Sequence, residues 1–292
     1  MSQSRLYFST LKAKALEIGK LLDPLFEEEG LPTAVFEDTE NTNNWFWSVY
    51  LEDDDLVSTQ ALIKNALKAR GFSHKLLREK LGDIDWVSET LRELSPVSAG
   101  RFFVHGSHDR AAARNKRIPV EIDAGLAFGT GHHGTTAGCL DMLETCLKRG
   151  KPRKALDVGT GSGVLAIALA KAAHIPILAT DIDPVAVQVA RQNSRNNGTA
   201  AHIKMATAAG FDNPAFDAFG KVDLVLANIL ARPLERLARP MSCHLASGAN
   251  VILSGLLPHQ RSRIVNAYTK QGLVLERWSI RDEWLTILMK QP

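Results

Sequence analysis

Several residues of this 292-residue chain have the types and spacing of a nucleoside-binding site. Gly159, Gly161 and Gly163 alternate within Ala155-Leu156-Asp157-Val158-Gly159-Thr160-Gly161-Ser162-Gly163-Val164-Leu165, where an apolar strand turns into a helix. Glycine there lets backbone N–H groups and a helix N-terminus approach a ligand that a Cβ would hold off. The G-x-G-x-G spacing is one residue short of the dinucleotide fingerprint G-x-G-x-x-G. That shorter turn suits a nucleoside with an amino-acid tail better than one with a pyrophosphate, and so disfavours a nicotinamide-dependent dehydrogenase. Asp181 follows Gly159 by 22 residues, at the end of the apolar run Ile175–Thr180. An open α/β sheet places there the carboxylate that accepts both ribose hydroxyls. Asp183 and Pro184 read instead as a helix start, the carboxylate capping free N–H groups and proline at the first helical position. Asn228 ends another apolar run, and its side-chain carbonyl could accept a hydrogen bond from an incoming amine.

These residues need a scaffold that brings strand ends together. The spacing predicts strands at Ala155–Val158, Ile175–Asp181, His202–Ala206, Val222–Ala227 and Asn250–Ser254, with a helix running on from Val164. A further helix is expected from about Pro258 to Gln271, then an antiparallel hairpin of Leu273–Glu276 and Trp284–Met289. Near-continuous apolar strands alternating with helices imply a doubly wound, mostly parallel sheet. A closing antiparallel pair after a G-x-G-x-G half is the arrangement of Rossmann-like S-adenosylmethionine methyltransferases. Such sheets bind ligands beyond the carboxyl ends of their strands, where Gly159, Asp181 and Asn228 all fall.

Two further segments narrow the reading: Asp123-Ala124-Gly125-Leu126-Ala127-Phe128-Gly129-Thr130-Gly131-His132-His133-Gly134-Thr135-Thr136, and Ala227-Asn228-Ile229-Leu230-Ala231-Arg232-Pro233-Leu234. With the glycine run and Thr180-Asp181-Ile182-Asp183-Pro184, they resemble PrmA, the family of ribosomal protein L-eleven methyltransferases. The resemblance covers about the last 170 residues well and the N-terminal part in outline. Many relatives have proline where Ala124 and Gly134 stand, changes that loosen the turn and remove no polar group. The resemblance implies a donor, S-adenosylmethionine, contacted by Thr136, Gly159, Gly161, Asp181 and Asn228. Thr136 opens a helix through Leu140, Leu143 and Leu147, so its hydroxyl either caps that helix or touches the donor's methionine part. Phe128 to Thr136 has the glycine content of a lid, with Phe128 covering an apolar wall and His133 touching donor or substrate. His132 and His133, with His105 and His108, also invite a metal reading. Adjacent histidines point apart and no cysteine or carboxylate pair joins them, so no metal is expected. Asn228 is the expected catalytic residue, aiming a neutral amine at the sulfonium methyl. Ile229-Leu230-Ala231 lacks the aromatic that would stack on a nucleobase.

Two domains are expected at this length: substrate recognition over 1–95, a connection over 96–121 and the methyltransferase over 122–292. In the first, strands at Arg5–Ser9, Thr33–Glu37 and Trp45–Leu51 alternate with helices at Lys12–Glu29, Leu56–Arg70 and Trp86–Leu94. That order suggests a small α+β, ferredoxin-like fold. Arg101–Val104 reads as a strand within the connection. Residues 1–95 hold 11 Lys and Arg against 17 Asp and Glu, a net of −6, while 96–292 hold 24 against 15, a net of +9. The acidic clusters Glu27-Glu28-Glu29 and Glu52-Asp53-Asp54-Asp55 suit a lysine-rich protein partner and repel nucleic-acid phosphate. Ribosomal protein L-eleven, free or ribosome-bound, is the partner the resemblance implies, and no direct sequence-specific nucleic-acid binding is expected. No apolar run reaches the ~20 residues of a membrane helix and no signal peptide opens the chain. Cys139, Cys146 and Cys243 are scattered, implying neither disulfides nor a CxxC site. A cytoplasmic enzyme methylating lysine ε-amines, with the N-terminal α-amine a further target, is the expectation. An RNA or small-molecule methyltransferase with an accessory domain, and a donor-binding assembly factor without catalysis, are the competing readings.

Overall fold

The computed structural model describes residues 3–27, 31, 33–37, 44–52, 55–81, 96–114, 117–122 and 133–292. The helix expected at Trp86–Leu94 and most of the Asp123–Thr136 segment lie outside them. The chain divides into two compact units, Met1–Ile84 and Asp85–Pro292.

In the first unit, β1 (Gln3–Thr10), α1 (Lys12–Glu27), β2 (Thr33–Glu37), β3 (Trp45–Glu52), α2 (Leu56–Ala69) and β4 (Leu77–Leu81) follow in order. The strands form an antiparallel sheet ordered β2-β3-β1-β4, the ferredoxin-like arrangement. Period-two alternation sends Leu6, Phe8, Trp47, Val49 and Leu51 into one core with Ile18, Leu22, Phe26, Ile63 and Leu67 from the helices. Trp47 stacks on Phe8 at 5.5 Å between ring centroids and donates its Nε1–H to Asp23 at 2.9 Å. Strand β4 was not expected, because Leu-Arg-Glu-Lys-Leu carries charge at three successive positions. Pairing with β1 and an ion pair from Arg5 to Glu79 at 3.0 Å hold it as an edge.

The second unit begins with a small sheet, β5 (Val97–Ala99), β6 (Phe102–His105) and β7 (Ile118–Glu121), of which the sequence had shown only the middle strand. Ala99, Phe102 and Val120 are buried in the same core as the long helix α3 (His133–Arg149). The segment read as a connection is therefore packed into the second unit. Then follow β8 (Ala155–Val158), α4 (Val164–Ala173), β9 (Ile177–Asp181), α5 (Pro184–Asn196), β10 (Ile203–Thr207), α6 (Pro214–Phe219), β11 (Val222–Asn228), α7 (Ala231–Cys243), β12 (Leu245–Leu256), α8 (Arg261–Thr269), β13 (Val274–Arg281) and β14 (Trp284–Lys290).

These seven strands make one sheet, ordered β10-β9-β8-β11-β12-β14-β13. Pairing is parallel from β10 to β12, and β14 runs antiparallel to both neighbours, as expected of the closing hairpin. Helices α3 and α4 cover one face and α7 and α8 the other, each sealing its own apolar core. Strand order reverses at β8, which opens a crevice at its carboxyl end between the β9 and β11 tips. The helix expected from Pro258 begins as a 3₁₀ turn at Pro258–Gln260 before α8.

Helix α5 starts as the sequence required: Asp183 accepts from the Val185 N–H at 2.8 Å and Pro184 takes the first helical position. Asp183→Ala is expected to lower the stability of this unit by about 1 kcal/mol. Denaturant unfolding would show it as a lower midpoint with unchanged slope.

Candidate active site

The glycine turn between β8 and α4 carries positive φ at Gly159 (73°), Gly161 (53°) and Gly163 (86°), a left-handed backbone that other residues resist. Space matters as much as torsion. A Cβ at Gly159 would lie 2.2 Å from Ile229 Cγ2, so the turn is closed against the loop that follows β11. The amides of Gly159 and Thr160 donate to the Thr180 carbonyl at 2.8 and 2.9 Å, and that of Gly163 to the Thr160 carbonyl at 2.9 Å. The N–H groups expected to face a ligand are thus largely engaged within the protein.

A residue that sequence reasoning passed over holds this turn. Asp157, 1 % exposed at the end of β8, accepts the Thr160 hydroxyl at 2.6 Å and the Ala166 N–H at 3.1 Å, both on Oδ2. Burial pushes its carboxyl up to about 6, against the opposing pull of those two donors. The signal was an acidic residue inside an otherwise apolar strand, two positions before the first glycine.

Asp181 stands at the tip of β9, facing the turn. Its Oδ2 accepts the Gly161 N–H at 2.8 Å and its Oδ1 the Asp183 N–H at 3.0 Å. Each oxygen therefore has one backbone donor and keeps a lone pair, capacity for two adjacent hydroxyls. Beside it Ile182 is 71 % exposed, apolar surface suited to the face of a flat ring. The sequence reading had not singled it out.

Asn228 ends β11 across the crevice. Its Nδ2 donates to the Thr135 hydroxyl at 3.3 Å, in the first turn of α3, which leaves Oδ1 as the acceptor. Thr135 was likewise not anticipated. Its carbonyl is reached by the Ser254 hydroxyl at 3.4 Å, so α3, β11 and β12 converge here. Helix α3 starts at His133, three residues before Thr136, so Thr136 is inside the helix and does not open it. The Thr136 residue is 4 % exposed, and its Oγ1 is buried with no hydrogen-bond partner among the described residues. Phe128 and the side chain of His133 lie outside the described residues, as does His132.

Residues 20–292 match the family described as ribosomal protein L11 methyltransferase (PrmA). The chain belongs to that family. It is 51 % identical over 290 residues to the ribosomal protein L11 methyltransferase of Mesorhizobium japonicum, covering 99 % of this chain and 100 % of that one. Identity to the Rhizobium rhizogenes protein of the same name is 48 % over 292 residues, covering 100 % of both. A crystal structure of a ribosomal protein L11 methylase from Lactobacillus delbrueckii subsp. bulgaricus is similar with a TM-score of 0.60 at 29 % identity, covering 68 % of this chain and 100 % of that one.

A PrmA-family enzyme is a methyltransferase whose donor is S-adenosylmethionine, and the crevice has the chemistry to hold it. A carboxylate with two open lone pairs and a buried hydroxyl with no partner among the described residues match a ribose and a polar tail. Among the described residues, no helix is long and apolar enough to cross a membrane.

Asp157 makes the fold of this PrmA-family chain pH-sensitive. Its folded value of about 6 exceeds the ~3.9 of an unfolded aspartate. Between those values the folded chain holds a proton that the unfolded chain has released, so this group's contribution falls as pH rises from 4 to 6. The difference in unfolding free energy between the native protein and Asp157→Asn is expected to drop by roughly 2 kcal/mol across that window. Urea melts at a series of pH values measure it, and a flat difference would contradict an uplifted Asp157.

Proposed function

We propose that this enzyme transfers methyl groups from S-adenosylmethionine to lysine ε-amino groups of ribosomal protein L11, with the N-terminal α-amino group as a further acceptor. In this reading Asp181 accepts the ribose hydroxyls, Ile182 lies against the base and Gly159 and Gly161 admit the nucleoside to the backbone. Thr136 donates its free hydroxyl to the tail, with Phe128 and His133 completing the enclosure. Residues 1–95 form the substrate-recognition domain, whose acidic charge favours a basic protein, and residues 122–292 the catalytic one. The enzyme works in the cytoplasm, where ribosomal proteins are made.

When bound, the donor supplies a sulfonium methyl that leaves by in-line displacement, a reaction that needs positioning and exclusion of water. The protein's task is a neutral nucleophile in line. A lysine of ordinary pKa is unprotonated in about one molecule in 2,500 at pH 7. A partly apolar site that also holds a positive charge lowers the amine's pKa by desolvation and like-charge repulsion. Asn228 then receives the neutral amine. The observation that carries this role is its hydrogen bond to Thr135: with Nδ2 engaged, Oδ1 is left to accept an N–H and turn the nitrogen lone pair toward the methyl. No dedicated general base is required, and the amine's proton leaves to solvent before it is seated.

Two variants separate binding from chemistry. Asn228→Ala is expected to lower kcat by about 100-fold while donor affinity stays within about twofold. Equal losses in both would refute an aiming role. Asp181→Ala removes hydrogen bonds to a charged acceptor worth about 1.5–3 kcal/mol each, so donor affinity should fall at least about tenfold in calorimetry. Incubating the enzyme and labelled donor with ribosomal proteins and RNA from a strain lacking it identifies the acceptor. Label in a lysine-containing L11 peptide is expected, and label in RNA would replace the protein reading with the RNA one.

A further inference from the structure

One strongly charged face has no part in methyl transfer. Between Ala231 and Cys243, and again between Pro258 and Gln271, the chain carries Arg232, Arg236, Arg239, Arg261, Arg263 and Lys270 against a single carboxylate, Glu235. Helices α7 and α8 bring these segments side by side. Their amphipathic pattern turns Leu234, Ala238, Met241, Ile264 and Tyr268 into the core and leaves the cations outside. The groove between them, about 400 Å³, is lined by Glu235, Arg239, Arg263, Asn266, Lys270 and Gln271. Ala238 and Ala267 line it too, small side chains that let a ligand come close.

The groove's one carboxylate is already engaged, since Glu235 accepts Arg263 Nε at 2.6 Å. Arg236, Arg239 and Lys270 are exposed and form no ion pair among the described residues. A site with charged donors and no free charged acceptor selects an anion, and a row of them along two helices selects a polyanion. A second observation gives the polyanion its kind. Trp278, on the edge strand β13, is 43 % exposed and holds Arg261 over its ring at 4.5 Å from the centroid. Neither Trp278 nor Arg261 lines the groove, but cations along two helices with an exposed aromatic ring beside the same helix α8 suit a single-stranded nucleic acid, whose phosphates take the charges and whose bases stack. Helix α7 begins at Ala231, three residues beyond Asn228, so the face starts beside the reacting centre.

We propose that the α7–α8 groove binds the phosphate backbone of RNA without reading its sequence. The choice of RNA over another polyanion rests on the ribosomal-protein reading above. This positive face repels a lysine-rich protein but attracts the RNA such a protein binds, so it would hold a substrate already associated with RNA. The acidic N-terminal domain and the basic groove then divide the two partners between them.

The test uses the full-length enzyme, a labelled single-stranded RNA oligonucleotide and fluorescence anisotropy across a salt series. Arg236→Gln/Arg239→Gln/Lys270→Gln is expected to weaken RNA binding at least tenfold and to flatten the log–log salt slope by about 2, near 0.7 per lost contact on a single strand. Its thermal melt and its methylation of free ribosomal protein should match the native enzyme, because all three side chains are exposed and outside the donor site. Trp278→Ala should weaken binding several-fold with the salt slope unchanged. Unaltered RNA affinity in the triple variant overturns the proposal. So does capture by phosphatidylserine vesicles, but not by RNA, or salt-dependent binding by an acidic protein alone. If the native enzyme methylates ribosomal protein yet binds no RNA, the groove assignment fails and the lysine reading stands. Groove-dependent RNA binding with label entering the RNA supports the groove and sinks the lysine reading.

Discussion

A carboxylate buried where β8 meets the glycine turn organises the catalytic unit. Asp157 reaches the Thr160 hydroxyl and the Ala166 N–H from one oxygen, joining strand, turn and helix start at a single point. Leaving a carboxylate in that apolar surrounding is unfavourable, which is why its proton is held to about pH 6. Its two donors also keep the backbone in a left-handed course that leaves the crevice clear. From that turn the Gly161 N–H reaches Asp181 and the backbone of Gly159 backs onto Ile229. The Asp181 end and the Asn228 end of the crevice are therefore referenced to the same few residues. A change at Asp157 would be felt at both.

The second organising element is the first turn of α3. It meets the tips of β11 and β12 through Thr135, which orients the Asn228 amide and receives the Ser254 hydroxyl at its carbonyl. Amide orientation matters here because the two ends of an asparagine side chain have opposite chemistry: one end can accept from an amine, the other cannot. Thr136, one position on, presents a buried hydroxyl with no partner among the described residues. An unmet polar group of that kind is unfavourable by about 1–3 kcal/mol until a ligand satisfies it. The energetic deficit lies where a donor's polar tail is expected, so binding would relieve it.

Much of the architecture was legible from periodicity and punctuation. The strands of the large sheet, the closing hairpin and the Asp183–Pro184 helix start follow from apolar runs, turn residues and capping chemistry, all local properties. Strands β4, β5 and β7 were not legible. Each is short or highly charged: β4 is held by pairing with β1, 70 or more residues away, and β5 and β7 by pairing on either side of β6. Thr135 and Ile182 escaped notice because a threonine among threonines and an isoleucine after an acidic residue carry no signal until the site is assembled. The N–H groups of the glycine turn were expected to face a ligand, and the structure engages them within the protein instead: Gly159 and Thr160 on the Thr180 carbonyl, Gly161 on the Asp181 carboxylate and Gly163 on the Thr160 carbonyl.

By itself the sequence determined the fold class, the position of the crevice and the family, because glycine spacing, strand-terminal Asp181 and Asn228, and the order of apolar runs are one-dimensional facts. Charge asymmetry between the two halves was equally plain. The tertiary structure decided which atoms are free among the described residues: that Asn228 keeps its carbonyl, that Asp181 keeps two lone pairs and that Thr136 lacks a partner there. It also decided that Arg239, Arg263 and Lys270, from two separate segments, line one groove. Hydrogen-bond availability and charge adjacency depend on what lies across space, and residues 93 or 140 positions apart along the chain meet only when the sheet closes.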